Sequence, residues 1–205
     1  AAEKRYGGAL CIDLTCGLGV DSAHFSKSFD RVIAVERDPV TARVAAVNFS
    51  LLGISNIEVV NDSAEHFIES FPGTADLVYA DPARRGEGNR KVFRFEECSP
   101  DIVSLLPAIR EKTRRVVVKA SPLFDIDEAF RLFGDRITVD IVSRQGECKE
   151  VLIDVPSAPD APAGSVRAVA AGCGSLVFGR GDGEPAQTSD FEPPYGYLLV
   201  PDVSL

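Results

Sequence analysis

The chain has 205 residues, 45% apolar and 26% charged, with a formal net charge of −9. That length and balance suit one ordinary soluble domain plus an appendage, and no apolar run approaches the roughly 18 to 20 residues that a membrane helix needs. The acidic excess argues against a free-standing nucleic-acid binder, because phosphate neutralisation by basic side chains supplies most of such affinity.

Ala1-Ala2-Glu3-Lys4-Arg5 is too short and polar for a signal peptide. The chain contains no Met at all, and so reads as a fragment of a longer protein. Cys11, Cys16, Cys98, Cys148 and Cys173 are odd in number and scattered, with no C-x-x-C, and His24 and His66 complete no metal-ligand spacing. Free thiols in a reducing cytoplasm, with no metal and no membrane partner, are the expectation.

Up to about residue 155, apolar runs alternate with amphipathic segments. Residues 9–14 read as a buried strand, followed by a glycine turn and a short helix from Asp21. Residues 31–36 form the second strand. Pro39 opens a helix on which Ala42, Val44, Ala45, Ala46, Phe49 and Leu52 recur with helical spacing, and Gly53 closes it. A third strand over 56–60 precedes a helix over 63–70, and a fourth strand covers 75–80. A polar stretch, 84–100, interrupts the rhythm before a helix over 101–112, a fifth strand over 115–120 and a helix over 125–133. Two further strands, 136–142 and 149–155, are joined only by the short polar link 144–147. No helical crossover fits there, so they are expected to form an antiparallel hairpin.

This order predicts an α/β fold: a Rossmann-like, doubly wound sheet of seven strands whose last strand is reversed and lies at an edge. Residues 156–164, rich in Pro and Ala, read as a linker. Short strands at 165–171, 175–179 and 197–200 then make a small β-rich extension, read as the start of a further, truncated domain. The division expected is therefore 1–155 and 156–205.

In such sheets ligands bind beyond the carboxyl ends of the strands. After the first strand stands Asp13-Leu14-Thr15-Cys16-Gly17-Leu18-Gly19-Val20-Asp21, a D-x-x-x-G-x-G turn whose glycines permit close backbone approach. Ser22 occupies the place where a dinucleotide fingerprint wants its third glycine. Glu36 ends the second strand, where a carboxylate can accept from both hydroxyls of a ribose. Asp62 and Ser63 end the third; Asp62 can accept from an adenine amino group, and either residue can cap the following helix. The fourth strand runs into Asp81-Pro82-Ala83-Arg84-Arg85. The carboxylates Asp13, Asp21, Glu36, Asp62 and Asp81 together repel a pyrophosphate and favour a cationic ligand. Arg84, Arg85, Arg90, Lys91 and Arg94, interleaved with Phe93 and Phe95, reverse the acidic balance locally. They suit RNA at a site rim, or a solvated loop whose phenylalanines tuck into the core. Arg110, Lys112, Arg114 and Arg115 read as a charged helix end. Lys119 can face the cleft or sit at the sheet rim.

The succession DLTCGLG, VIAVERD, VVNDSAEHF and DLVYADPARR resembles the first four motifs of the class I S-adenosylmethionine-dependent methyltransferases, over residues 9 to about 155. Asp38-Pro39 with Ala42, Ala45, Asn48 and Gly53 resembles the subset that modifies RNA. Asp81-Pro82-Ala83-Arg84-Arg85 with Lys119-Ala120-Ser121-Pro122 resembles bacterial members with a C-terminal THUMP-like domain. The resemblance implies that Asp13, Gly17 and Gly19, with Thr15 and Asp21 in the same turn, hold the methionine part of S-adenosylmethionine. Glu36 would hold the ribose, Arg37 would flank the adenine, and Asp62 and Ser63 would meet its edge. Asp81, Pro82 and Arg84 would border the transferred methyl group and the acceptor. It also implies RNA, tRNA or rRNA, as acceptor, gripped in part by regions outside this fragment.

Two departures stand out. Enzymes of this fold that methylate exocyclic amines carry Pro and an aromatic where this chain has Ala83 and Arg84, and no cysteine adjoins Asp81 as in pyrimidine-carbon methylation; Cys98 is the nearest. A small-molecule or protein methyltransferase, or a non-catalytic module that keeps the cofactor fold, are the rival expectations. A nicotinamide dehydrogenase is remote, because of Ser22.

Overall fold

The computed structural model describes residues 6–84, 95, 98–158 and 161–179. Its elements are β1 (Gly8–Asp13), α1 (Val20–Phe25), β2 (Phe29–Val35), α2 (Pro39–Leu51), β3 (Ile57–Val60), α3 (Ala64–Ser70) and β4 (Leu77–Ala80). Two-residue strands β5 (Ala83–Arg84) and β6 (Cys98–Ser99) follow, then α4 (Ile102–Lys112), β7 (Arg115–Ala120), α5 (Ile126–Phe133), β8 (Thr138–Arg144), β9 (Glu147–Pro156), β10 (Ser165–Ala170) and β11 (Gly174–Gly179). The strand expected over 197–200 lies outside the described residues.

The helices start where local chemistry supplies a cap. Asp38, Ser63, Asp101 and Asp125 each accept a hydrogen bond from a backbone N–H of the first turn, which satisfies donors that would otherwise lack a partner. Of the apolar positions that marked α2, only Ala42, Ala45 and Phe49 are buried, whereas Val44 and Leu52 are 41% and 66% exposed. This helix packs beside β3 at the margin of the sheet, so only a narrow stripe meets it.

All the long strands belong to one sheet, in the order β11-β10-β8-β9-β7-β4-β1-β2-β3. β3, β2, β1, β4 and β7 are mutually parallel, and β9 is antiparallel to both β7 and β8. Gln145 and Gly146, with φ of 56° and 74°, turn β8 into β9, the positive φ pair that a two-residue hairpin turn demands.

This corrects two expectations. The reversed strand is not at an edge but inside the sheet. Val151, Leu152, Ile153 and Val155 of β9 are buried on both faces, as an edge strand would not be. The sheet is also wider than the seven strands expected, because the β-rich extension joins it. β8 would leave an open edge, and β10 pairs with it in parallel while β11 folds back antiparallel, giving nine strands in all.

One face of the sheet is covered by α3, α4 and α5. Ile12, Ile33, Val78, Val116, Val118 and Ile153 meet Phe67, Ile102, Ile109, Phe130 and Phe133 there. Phe95 is fully buried in the same cluster, with its ring edge-on to Phe124 and Phe133 at 4.9 and 5.4 Å. The opposite face carries a second cluster of Tyr6, Cys11, Phe29, Val32, Leu77, Tyr79, Val117 and Leu152. Among the described residues no helix is long and apolar enough to cross a membrane.

The outer strands are tied in by charge as well as by backbone. Asp140 on β8, 1% exposed, accepts from Arg167 Nε and Nη2 of β10 at 2.9 and 2.6 Å. Removing one partner of a buried pair is costly because the other's desolvation is no longer offset. Arg167→Ala is expected to lower unfolding free energy by about 2–3 kcal/mol in urea denaturation; a change within experimental error would show that this pair adds nothing to the backbone pairing that holds β10.

Candidate functional site

The tips of β1, β2 and β4 are laced together by the loop after β1. Leu14 N–H donates to the Tyr79 carbonyl and Cys16 N–H to the Val35 carbonyl, both at 2.9 Å, so the loop bridges the strands on either side of β1. Asp13, 1% exposed, lies beneath it. Its carboxylate accepts from Thr15 N at 3.0 Å and from Ser22 Oγ at 2.6 Å. Thr15 Oγ1 accepts from Asp81 N at 2.6 Å, which joins the first strand's turn to the end of the fourth.

Gly17 and Gly19 hold φ of 54° and 93°. At Gly19 a side chain is also excluded by space, since a Cβ would lie 2.4 Å from the Phe49 ring of α2. Glu36, just past β2, accepts from Gly17 N at 2.9 Å with one carboxylate oxygen and from Asp38 N at 2.8 Å with the other. Asn61 Nδ2 donates to the Glu36 and Arg37 carbonyls at 2.8 and 3.1 Å. Asn48 Nδ2 donates to the Leu18 carbonyl at 3.0 Å, so this α2 residue supports the glycine loop.

Beyond β3, Ser63 is the helix cap and accepts from His66 N at 3.1 Å. Asp62 pairs instead with His66 Nδ1 at 2.6 Å, and that hydrogen bond pulls its carboxyl below, and the imidazole above, their usual ranges. Asp62 N–H donates to the Glu36 carbonyl at 3.2 Å, which brings the ends of β2 and β3 together. The Arg37 guanidinium donates to Ser99 Oγ on β6 at 2.7 Å. Pro82 is buried.

The Asp81 carboxylate meets Lys119 Nζ at 3.0 Å, at the end of β7. The same ammonium lies 3.8 Å from Asp21 and 3.8 Å from Glu150, and Tyr79 Oη donates to Asp21 at 2.9 Å. Burial, then the charges of Asp21, Asp13 and Asp81, hold the Tyr79 hydroxyl protonated far above its ordinary range. Burial pushes Asp13 up to about 6; the hydrogen bonds from Ser22 and Thr15 counter this in part, and the charges of Asp21 and Asp81 add to it. Beside this cluster runs a trough of about 920 Å³, with Tyr79, Val117, Val142 and Leu152 among its lining, flanked by Asp21 and Phe25 of α1 and by the turn after β10.

Asp13, Thr15 and Asp81 are thus linked by direct hydrogen bonds, Gly17 of the same loop is bonded to Glu36, and Asp21 reaches Asp81 through Lys119. Arg84 pairs through its backbone with Cys98 in the β5–β6 ribbon. Its side chain, with Arg85, Arg90, Lys91, Phe93 and Arg94, lies outside the described residues. Of the two placements open for Phe95, the structure shows the core one: its ring is fully buried and cannot offer its face to a base. Cys98 is fully buried. Ser22, Tyr79 and Glu150 were not foreseen. Ser22 had a signal, since a hydroxyl in place of the third glycine stands one residue after Asp21 and can reach back to Asp13. Glu150 had none without the position of β9.

The donor set is dominated by acceptors. It suits a ligand presenting ribose hydroxyls, an amino group and positive charge, is hostile to a diphosphate, and so fits S-adenosylmethionine.

No family model matches the chain. A Mycobacterium tuberculosis protein described as an uncharacterized S-adenosylmethionine-dependent methyltransferase is 30% identical over 151 residues, covering 73% of this chain and 39% of that protein. An uncharacterized RNA methyltransferase of Thermotoga maritima is 30% identical over 120 residues, covering 57% of this chain and 27% of that protein. A Porphyromonas gingivalis W83 structure described as a methyltransferase superposes with a TM-score of 0.69 at 24% identity, over 84% of this chain and 44% of that one. The chain therefore spans about two-fifths or less of the length of these curated relatives, and its fold is that of the class I S-adenosylmethionine-dependent methyltransferases.

Asp13 binds its proton more tightly folded, at about 6, than at the usual 3.8. Its contribution to stability is therefore fullest below about pH 4 and is lost as pH rises towards 6. A ¹³C carboxyl titration should place its midpoint near 6. Ser22→Ala, which removes a donor to the charged form, should move that midpoint upward; a downward shift would refute the role given to this hydrogen bond.

Proposed function

We propose that this chain is the cofactor-binding and catalytic core of a cytoplasmic S-adenosylmethionine-dependent methyltransferase that acts on RNA, in the bacterial group with a C-terminal THUMP-like domain. The observation that carries the reading is the loop after β1, which bonds Asp13 and Asp81 through Thr15 and Glu36 through Gly17, a glycine-lined seat rich in acceptors. The form Asp81-Pro82-Ala83-Arg84-Arg85 supports the narrower group. The Thermotoga relative described as an RNA methyltransferase supports the acceptor class, as does the run of basic residues after Asp81 in an otherwise acidic chain. The remaining RNA grip belongs to parts of the protein beyond these residues. Its five free thiols suit a reducing compartment.

S-Adenosylmethionine, when bound, supplies an electrophilic methyl group on a sulfur that leaves as a neutral thioether. The chain's task is then alignment and exclusion of water. Asp13 works from below: it fixes Thr15 and Ser22 and so shapes the loop that receives the methionine part. Gly17 and Gly19 keep that loop open to close approach, and Asp21 adds negative charge at its far end. Glu36 keeps lone pairs for the ribose hydroxyls while its backbone donors hold it in place. Asp62 and Ser63 border the adenine edge, with Arg37 flanking it. Pro82 stiffens the backbone after Asp81, and Arg84 stands next on the acceptor side. Where the acceptor atom carries a proton, that proton passes to the Asp81 carboxylate.

Glu36→Ala is expected to weaken S-adenosylmethionine binding by about 1–3 kcal/mol, roughly five- to 150-fold, in isothermal calorimetry. Unchanged affinity would remove the ribose assignment, and NAD bound in its place would overturn the whole reading. For the acceptor, the full-length protein should transfer labelled methyl groups to total RNA; label appearing only in protein or small-molecule extracts would replace RNA as the acceptor class.

A further inference from the structure

We infer that Lys119 is a positioning residue that holds the Asp81 carboxylate in place between the neighbouring acids Asp21 and Glu150. The inference rests on the methyltransferase reading for its purpose, though not for its primary test.

Four carboxylates compete at this end of the sheet: Asp13 on β1, Asp21 on α1, Asp81 after β4 and Glu150 on β9. Tyr79 on β4 contributes a hydroxyl that stays protonated and binds Asp21. His24 on α1, and Arg144 and Arg167 beyond Glu150, line the same trough. Acids gathered at one place repel one another, and a cation among them offsets that repulsion. Lys119 is the basic group that touches Asp21, Asp81 and Glu150 at once, and its nearest partner is Asp81 at 3.0 Å.

The backbone makes the placement rigid. β7 is held between β4 and β9, and Lys119 lies directly opposite Leu152 on β9. The side chain is 27% exposed, so its ammonium is neither lost to solvent nor stripped of partners. Burial opposes its charge, but Asp21, Asp81 and Glu150 outweigh that and leave its pKa above the usual lysine range. On the other side, the Asp81 N–H is anchored on Thr15. The acid is therefore gripped at its backbone by the cofactor loop and at its carboxylate by β7. A base held this way has its oxygen at a fixed point.

Two substitutions give opposite signs. Lys119→Met removes the compensating charge, so the ¹³C carboxyl midpoint of Asp81 should rise by about one pH unit or more. Glu150→Gln removes a competing acid, so the same midpoint should fall. Lys119→Arg, which keeps the charge, should restore most of the loss. Affinity for S-adenosylmethionine in Lys119→Met should be unchanged or tighter, because a cation leaves a seat meant for a cation. In methyl transfer, the acid limb of kcat/KM should move with the Asp81 midpoint. A residue with only a packing role would lower stability without moving either midpoint in these directions. An Asp81 midpoint that does not move in Lys119→Met, or that does not fall in Glu150→Gln should the first variant fail to fold, overturns the inference. An acid limb that stays fixed while the midpoint moves overturns the catalytic purpose assigned to Lys119. A wild-type protein that transfers no methyl group, yet shows both shifts, leaves the electrostatic assignment standing and removes the methyltransferase reading.

Discussion

A single buried carboxylate organises this end of the molecule. Asp13 sits under the loop it precedes, and its two oxygens are engaged by Thr15 N and Ser22 Oγ. Through Thr15 it reaches Asp81, and through the turn it shapes, Gly17 reaches Glu36. Burying an acid is unfavourable, and the rise of its pKa to about 6 measures that. The cost is offset by donors that could not be satisfied as well elsewhere. Position of the loop, spacing of the strand tips and local negative charge therefore depend on one another.

If the acceptor is RNA, as proposed, the same arrangement reconciles it with an acidic chain. The negative charge is concentrated at the strand ends, where a cationic cofactor is to sit, and Lys119 tempers it on the acceptor side. Basic residues follow Asp81 in sequence, between the two short strands β5 and β6. On the proposed reading the acids and the basic run would serve opposite ligands, and the net charge of −9 describes neither.

What could be read from the sequence followed the range of the forces involved. Alternation of apolar runs with helical periodicity marked the strands and helices up to β9, because each depends on neighbours a few residues away. The glycine turn and the acids at the strand ends were visible for the same reason, and the loop does bring Thr15, Gly17, Glu36 and Asp81 together. Ser63 rather than Asp62 caps α3 because Asp62 finds His66 one turn on, a choice that local pattern left open. Long-range partners were not legible. The interior place of β9, the entry of β10 and β11 into the sheet, and the meeting of Lys119 with Glu150 all depend on strand order. Phe95, whose placement stayed open, and the outer face of α2 share a related limit: an apolar residue in a polar stretch, or on a helix, does not declare which side will face the core.

The position of β9 has a consequence for how the chain is made. It is the last of the strands from β7 to β9 to be synthesised, yet it lies between the other two. As the nascent chain leaves the ribosome, β7 has one flank unpaired until residue 156 emerges, while the half containing β1 to β4 already has all its partners. The cofactor loop and Glu36 can therefore assemble early, but the ammonium of Lys119 meets Glu150 only when the hairpin inserts. Completion of the acceptor side is thereby timed to the closing of the sheet, and a chain cut short before that point would carry the ligand seat without the groups that finish it.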